Sequence, residues 1–328
     1  MTTSRIDSLM TRLKKQLSLP VIAAPLFIIS NPKLVIAQCQ AGVIGSFPSL
    51  NARPASLLED WLKEITEALT KWDIEHPERP AAPFAVNLIV HKSNERLEHD
   101  LALCIKYQVP IIITSLGANT KVNEAIHAYG GVVFHDVINQ RFARKAIEKG
   151  ADGLIAVAAG AGGHAGTQSP FALIQETRQW FKGPLALSGS ITTGRALLAA
   201  RILGADFGYI GSGFIATKEA SANEDYKKMI LDSAADDIIY SNLFTGVHGN
   251  YLKGSIIAAG LDPEALEQSQ ADAMNFASGD IKQNKAWRDI WGCGQGIGTI
   301  KEIVSVAEFI KQMKAEYISA QIEGLDSE

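Results

Sequence analysis

Residues 153–166 read Gly153-Leu154-Ile155-Ala156-Val157-Ala158-Ala159-Gly160-Ala161-Gly162-Gly163-His164-Ala165-Gly166, an apolar run that passes directly into a loop with four glycines and one histidine. A continuous apolar run, as opposed to an alternating one, suits a parallel strand covered on both faces. Glycines after it permit positive φ and let backbone approach a ligand closely. An imidazole among them exchanges protons near neutral pH. The stretch reads as a parallel strand ending in a catalytic loop, with His164 as the candidate catalytic residue. A tight strand-to-helix turn with a solvated histidine would draw on the same residue types.

Short apolar runs of the same kind recur at residues 21–24, 42–45, 84–90, 110–114, 131–134, 184–187 and 207–210, which with 153–157 makes eight. Helical patterns lie between them at 54–70, 94–107, 120–128, 140–149, 170–181 and 193–203, several closed by a glycine such as Gly150 or Gly204. Eight such units predict an α/β fold, a TIM-type eight-stranded parallel barrel; a doubly wound sheet also alternates strands and helices. After residue 216 the rhythm changes. Residues 219–235 look helical, no strand is expected to follow, and 236–281 are irregular. A last amphipathic helix is expected at 300–318, with the acidic end 323–328 frayed. The predicted organisation is a barrel of residues 1–218 plus 296–320, with an appended C-terminal lid segment at 219–295.

Composition narrows the function classes. The 328 residues are 47% hydrophobic and 20% charged with net charge −4, and no basic run marks a nucleic-acid surface. Cys39, Cys104 and Cys293 are odd in number and far apart, which argues against a disulfide framework or a zinc site and fits a reducing, cytoplasmic setting. No metal site is expected. There is no secretory pattern at the start and no apolar run of about 18 residues, so no membrane span is expected.

In a barrel, the loops after strands seven and eight commonly hold phosphate. Here these are Ser188-Gly189-Ser190 and Gly211-Ser212-Gly213-Phe214, which offer bare amides and hydroxyls. With no Walker sequence and no Rossmann fingerprint, a compact phosphate such as FMN is the better ligand. Asn87, inside an apolar run, needs a partner, because an unpaired buried amide costs about 1–3 kcal/mol. That partner is either backbone or a flavin edge. His135, at the end of the fifth run, is open to the same two readings. Residues Ala24-Pro25-Leu26-Phe27 suit packing against a planar ring, or plain core packing.

Residues 20–27, 84–88, the Gly160–Gly166 loop, 188–195 and 211–217 together resemble the nitronate monooxygenase family, formerly called 2-nitropropane dioxygenases. The resemblance spans about residues 18–315, and Gly162-Gly163-His164-Ala165-Gly166 is its most specific part. It implies an FMN-bound barrel that oxidises a nitronate with molecular oxygen to a carbonyl compound and nitrite, propionate 3-nitronate being one such substrate. His164 matches the family histidine, which is taken to remove the α-proton of a neutral nitroalkane or to assist the bound anion. Pro25, Leu26, Phe27, Asn87, His135, Gly163, Ser188, Gly189, Ser190, Gly211 and Ser212 are the implied cofactor contacts.

Two positions depart from the family pattern. Val157 stands where many relatives place a polar side chain. Asp136 stands where the quinone-reductase branch has a lysine, and an acid there would disfavour electron-rich flavin. The alternative function is an NAD(P)H-dependent flavin reductase acting on a quinone or enoyl acceptor; a flavin-free isomerase or lyase on a small phosphate and a redox-silent flavin store are further readings. In the lid, Tyr251 and Lys253 are candidate substrate contacts, the alternative being a surface hairpin. Trp287, Trp291 and residues 292–298 are expected to close the barrel's outer face or to form an oligomer contact, as in a homodimer.

Overall fold

The computed structural model describes residues 2–264 and 289–325. The eight apolar runs become β1 (Val21–Ala23), β2 (Gly45–Pro48), β3 (Phe84–Ile89), β4 (Ile111–Ser115), β5 (Val132–Val137), β6 (Gly153–Val157), β8 (Leu185–Ser188) and β9 (Phe207–Ile210). The two-residue β7 (Gly163–His164) belongs to a second sheet. The eight pair in parallel in the order β1-β9-β8-β6-β5-β4-β3-β2. A parallel bridge between Ile22 and Ile44 joins the two ends, with Ala23 N donating to Ile44 O at 2.8 Å and Ile44 N to Val21 O at 3.0 Å. The sheet is thus an eight-stranded barrel.

The second strand starts where the sequence predicts its end. Gly42 adopts φ 82°, and a Cβ on it would lie 2.8 Å from Ser18 Oγ. It therefore turns the chain after α2 (Pro32–Gln40), and pairing with β3 begins only at Gly45. The outer helices follow their predicted positions: α3 (Leu57–Glu75), α4 (Leu97–Lys106), α5 (Thr120–Ala128), α6 (Gln140–Glu148), α7 (Pro170–Trp180) and α8 (Gly194–Leu203). Local chemistry sets several starts, because the side chains of Asn31, Asn119, Asn139 and Thr193 accept from the first free amides of α2, α5, α6 and α8.

An unforeseen helix, α1 (Thr2–Gln16), closes the end of the barrel away from the strand C-termini. Its Leu9 and Leu13 are buried against Ile111, Val132 and Phe207 at the strand starts. Farther in, the Phe134 ring occupies the space a side chain on Gly153 would need, a Cβ there falling 2.6 Å from Phe134 Cε1.

Beyond β9 come α9 (Ser212–Ile215), α10 (Glu224–Leu231), β10 (Ile238–Ser241), β11 (Gly249–Leu252), α11 (Lys253–Ala258) and α12 (Val306–Leu325). The expectation that no strand follows residue 216 is overturned by β10 and β11. These form an antiparallel pair extended by β7, with Gly249 opposite His164 and Asn250 opposite Gly163. Because β7 comes from the barrel's own loop, this sheet crosses the boundary drawn at residue 218. The end expected to fray from 323 is helical through Leu325, where Arg195 Nη2 donates to Glu323 Oε2 at 2.5 Å. No helix among the described residues is long and apolar enough to cross a membrane.

Candidate active site

The C-terminal ends of the strands and their loops enclose a cavity of about 390 Å³. At one end the backbone is bare. Gly189 sits at φ 144° with its Cβ position 2.9 Å from Ala159 O, and Gly160 at φ 83° with its Cβ position 2.3 Å from Ser190 Oγ. Any side chain at either position would collide. Ser190 is itself in the left-handed region, φ 55°. The first amides of α9, on Ser212 and Gly213, have no carbonyl behind them. Gly294 N donates to Ser212 Oγ at 2.9 Å and fixes that hydroxyl beside them. Bare amides, serine hydroxyls and a helix start suit a phosphate dianion.

Pro25, Leu26 and Phe27 form an apolar part of the wall. Their loop is tied down by Asn51, whose Nδ2 donates to Leu26 O at 2.9 Å and Ser30 O at 2.8 Å and whose Oδ1 accepts from Ile28 N at 2.9 Å. Ile28 is held at φ 58°, an uncommon conformation for a β-branched residue. Across the cavity stand Asn87, Ser115 and Asp136, from the ends of three adjacent strands. Asn87 Nδ2 donates to Ile113 O at 3.0 Å and Ser115 Oγ at 2.8 Å; Ser115 Oγ donates to Asp136 Oδ2 at 2.6 Å. Burial pushes the Asp136 carboxyl up to about 6, a rise the Ser115 hydrogen bond opposes. A phosphate cradle, an apolar wall and a fixed amide in one cavity fit FMN, which Ser188, Gly189, Ser190, Gly211 and Ser212 would hold by its phosphate.

His164 lies on the same cavity. Its loop is clamped by the second sheet: Ala165 N donates to His248 O at 3.1 Å, and Asn250 Nδ2 to Ala161 O at 2.7 Å. His164 Nε2 is 3.1 Å from Thr245 Oγ1, whose own proton goes to Val247 O at 2.9 Å. With the Thr245 proton on Val247 O, Thr245 accepts and His164 carries its proton on Nε2. Burial lowers the imidazole to about 4, so it is neutral at pH 7.

Not every expected residue reaches the cavity. His135 faces the other way from Asp136 and is buried, with Nδ1 2.6 Å from Thr114 Oγ1, so its partner is inside the protein. Tyr251 is buried against Phe244, Ile256 and Ile290, and Lys253 opens α11; neither lines the cavity. Trp287 lies outside the described residues. Trp291, Gly292, Gly294 and Gly296, expected on an outer face or at an oligomer contact, form part of the cavity wall. Gln295 N donates to Gly160 O at 2.9 Å, and a Cβ on Gly294 would lie 2.7 Å from that same oxygen. The sequence signal was the glycine spacing itself, which marks close backbone approach without saying to what. Ser115, Tyr209 and Thr245 carried no signal.

A nitronate monooxygenase from Paraburkholderia phytofirmans is 26% identical over 90% of this chain and 92% of its own length. The nitroalkane oxidase of Streptomyces ansochromogenes superposes with a TM-score of 0.79 at 19% identity, covering 96% of this chain and 99% of that one. FabK from Thermotoga maritima gives 0.76 at 23%, with 97% and 98% covered. At these identities the two structures show the shared barrel fold. The sequence profile of the nitronate monooxygenase family runs through residues 8–316, taking in barrel, histidine loop and clamp together, and the chain belongs to that family of oxidoreductases.

Proposed function

We propose that the cavity binds FMN and that the protein oxidises alkyl nitronates with molecular oxygen to a carbonyl compound and nitrite. The observation that carries this reading is His164: an imidazole kept neutral by burial, on the wall of a cavity lined by the glycine-serine loops Ser188-Gly189-Ser190 and Gly211-Ser212. Bound FMN supplies the electron chemistry, which no side chain here could. His164 has a simpler task. As a neutral base it takes the α-proton of a nitroalkane on Nδ1, the ring nitrogen left without a proton; a nitronate that arrives already deprotonated needs no such transfer. Thr245 keeps the ring in one tautomer. Pro25, Leu26 and Phe27 shield the cofactor side from water, and the clamp made by β10 and β11 holds the histidine loop.

Anaerobic addition of propionate 3-nitronate to flavin-loaded protein tests the reading. Loss of flavin absorbance, followed in air by oxygen uptake and nitrite release, is the expected result. A flavin that ignores nitronates but is bleached by NADH would replace the proposal with an NAD(P)H-dependent reductase.

A further inference from the structure

Three side chains from neighbouring strand ends form a one-way chain of hydrogen bonds in the cavity wall. The Ser115 proton goes to Asp136 Oδ2, and Ser115 Oγ therefore accepts from Asn87 Nδ2, whose other hydrogen goes to Ile113 O. Both amide hydrogens of Asn87 are thus committed within the protein. What Asn87 can offer a ligand is its carbonyl oxygen. The Ile113 carbonyl, which can only accept, excludes the flipped amide.

We infer that Asp136 and Ser115 are positioning residues for the cofactor ring: they present Asn87 to it as a hydrogen-bond acceptor, and the Asp136 carboxylate places a negative charge in the cavity wall that disfavours the reduced ring. The inference rests on the reading that this cavity holds FMN. Reduction adds electrons to the ring system, and like charge in an enclosed, poorly screened site opposes that. Asp136 lies on the cavity wall in just such a site. Tyr209, on the same cavity wall, is pushed well above its ordinary range first by burial and then by Asp136. Among the described residues, no lysine or arginine lines the cavity to neutralise it.

The test uses the full chain loaded with FMN, in wild type, Asp136→Asn, Asp136→Glu and Ser115→Ala, with the flavin midpoint potential and the FMN dissociation constant as readouts. Asp136→Asn removes the charge at nearly constant shape and should shift the potential to a more positive value. Asp136→Glu keeps the charge and should stay near wild type. Ser115→Ala should weaken FMN binding about threefold to tenfold, because Asn87 loses one of its two anchors, and should shift the potential in the same direction as Asp136→Asn, because the carboxyl loses the hydrogen bond that opposes its rise. An unchanged potential in Asp136→Asn overturns the electrostatic half, and unchanged FMN affinity in Ser115→Ala overturns the positioning half. Wild-type protein that takes up no FMN under any loading condition overturns the cofactor reading, and this inference with it.

Discussion

At the scale of single residues, His164 and the cradle glycines are expected to separate cleanly. His164→Ala should lower turnover of a neutral nitroalkane by roughly 10²- to 10⁴-fold. FMN should stay bound, since the cradle lies on other loops, and a flavin spectrum of the purified variant checks this. Because burial holds the imidazole near 4, activity on a neutral nitroalkane should persist below pH 6.5 and fall only toward pH 4, as a pH profile of kcat/KM would show. The same shift acts on stability. In the unfolded chain the ring protonates at its ordinary value, so stability falls as pH drops from about 6.5 through about 4. His135, also lowered to about 4 by burial, adds to that loss. Denaturant melts at pH 7 and pH 5 should show it, with a shallower fall in His164→Ala. Gly211→Val should do the opposite of His164→Ala: its Cβ would stand 3.3 Å from Leu26 Cδ2, and the added methyls would crowd the cradle and expel FMN. That His164 and the glycine-serine loops would meet at one cavity was legible in the sequence, because glycine and histidine declare their chemistry locally. Thr245 was not, because its role depends on a partner 81 residues away.

At the scale of elements, the loop 25–30 depends on one side chain. Asn51→Ala removes three hydrogen bonds and frees Ile28 to leave its left-handed conformation. We expect a stability loss of about 1–3 kcal/mol and weaker FMN binding, read by thermal melts and flavin titration. The outer helices were legible because their caps are local: Asn31, Asn119, Asn139 and Thr193 each accept from an amide two or three residues on. The strands β10 and β11 were not. Gly249-Asn250-Tyr251-Leu252 has neither alternation nor an apolar run, and it is extended because it pairs with β10 on one side and the His164 loop on the other. The helix α1 escaped notice for a related reason, since its apolar face has meaning only against the barrel's open end.

At the scale of the whole molecule, the C-terminal helix joins the barrel by backbone contact. A Cβ on Gly194 would lie 2.1 Å from Met313 O and 2.2 Å from Tyr317 N, so α8 and α12 meet where only glycine fits. Gly194 N also donates to Glu316 Oε2 at 2.8 Å. Gly194→Ala should push α12 outward and cost about 1–3 kcal/mol, seen as a lower melting temperature. An unchanged melt would mean the helix shifts freely. The segment 292–296 shows the same principle at the cavity, where glycines of distant segments meet backbone to backbone across Gly160, Gly162 and Ser190.

The barrel, its strand count and the two glycine-serine loops that meet at the cavity could all be read from the chain before it was folded. Buried parallel strands need continuous apolar runs, and bare-backbone loops need glycine, so both requirements are written locally. Which side chains face the cavity was not readable before folding. Asp136 lines it while its neighbour His135 turns into the protein, and Trp291 closes it while Tyr251 is buried behind it. The physical reason is that facing is set by pleat, barrel closure and pairing between segments far apart in the chain, and no stretch of sequence carries the coordinates of its partner.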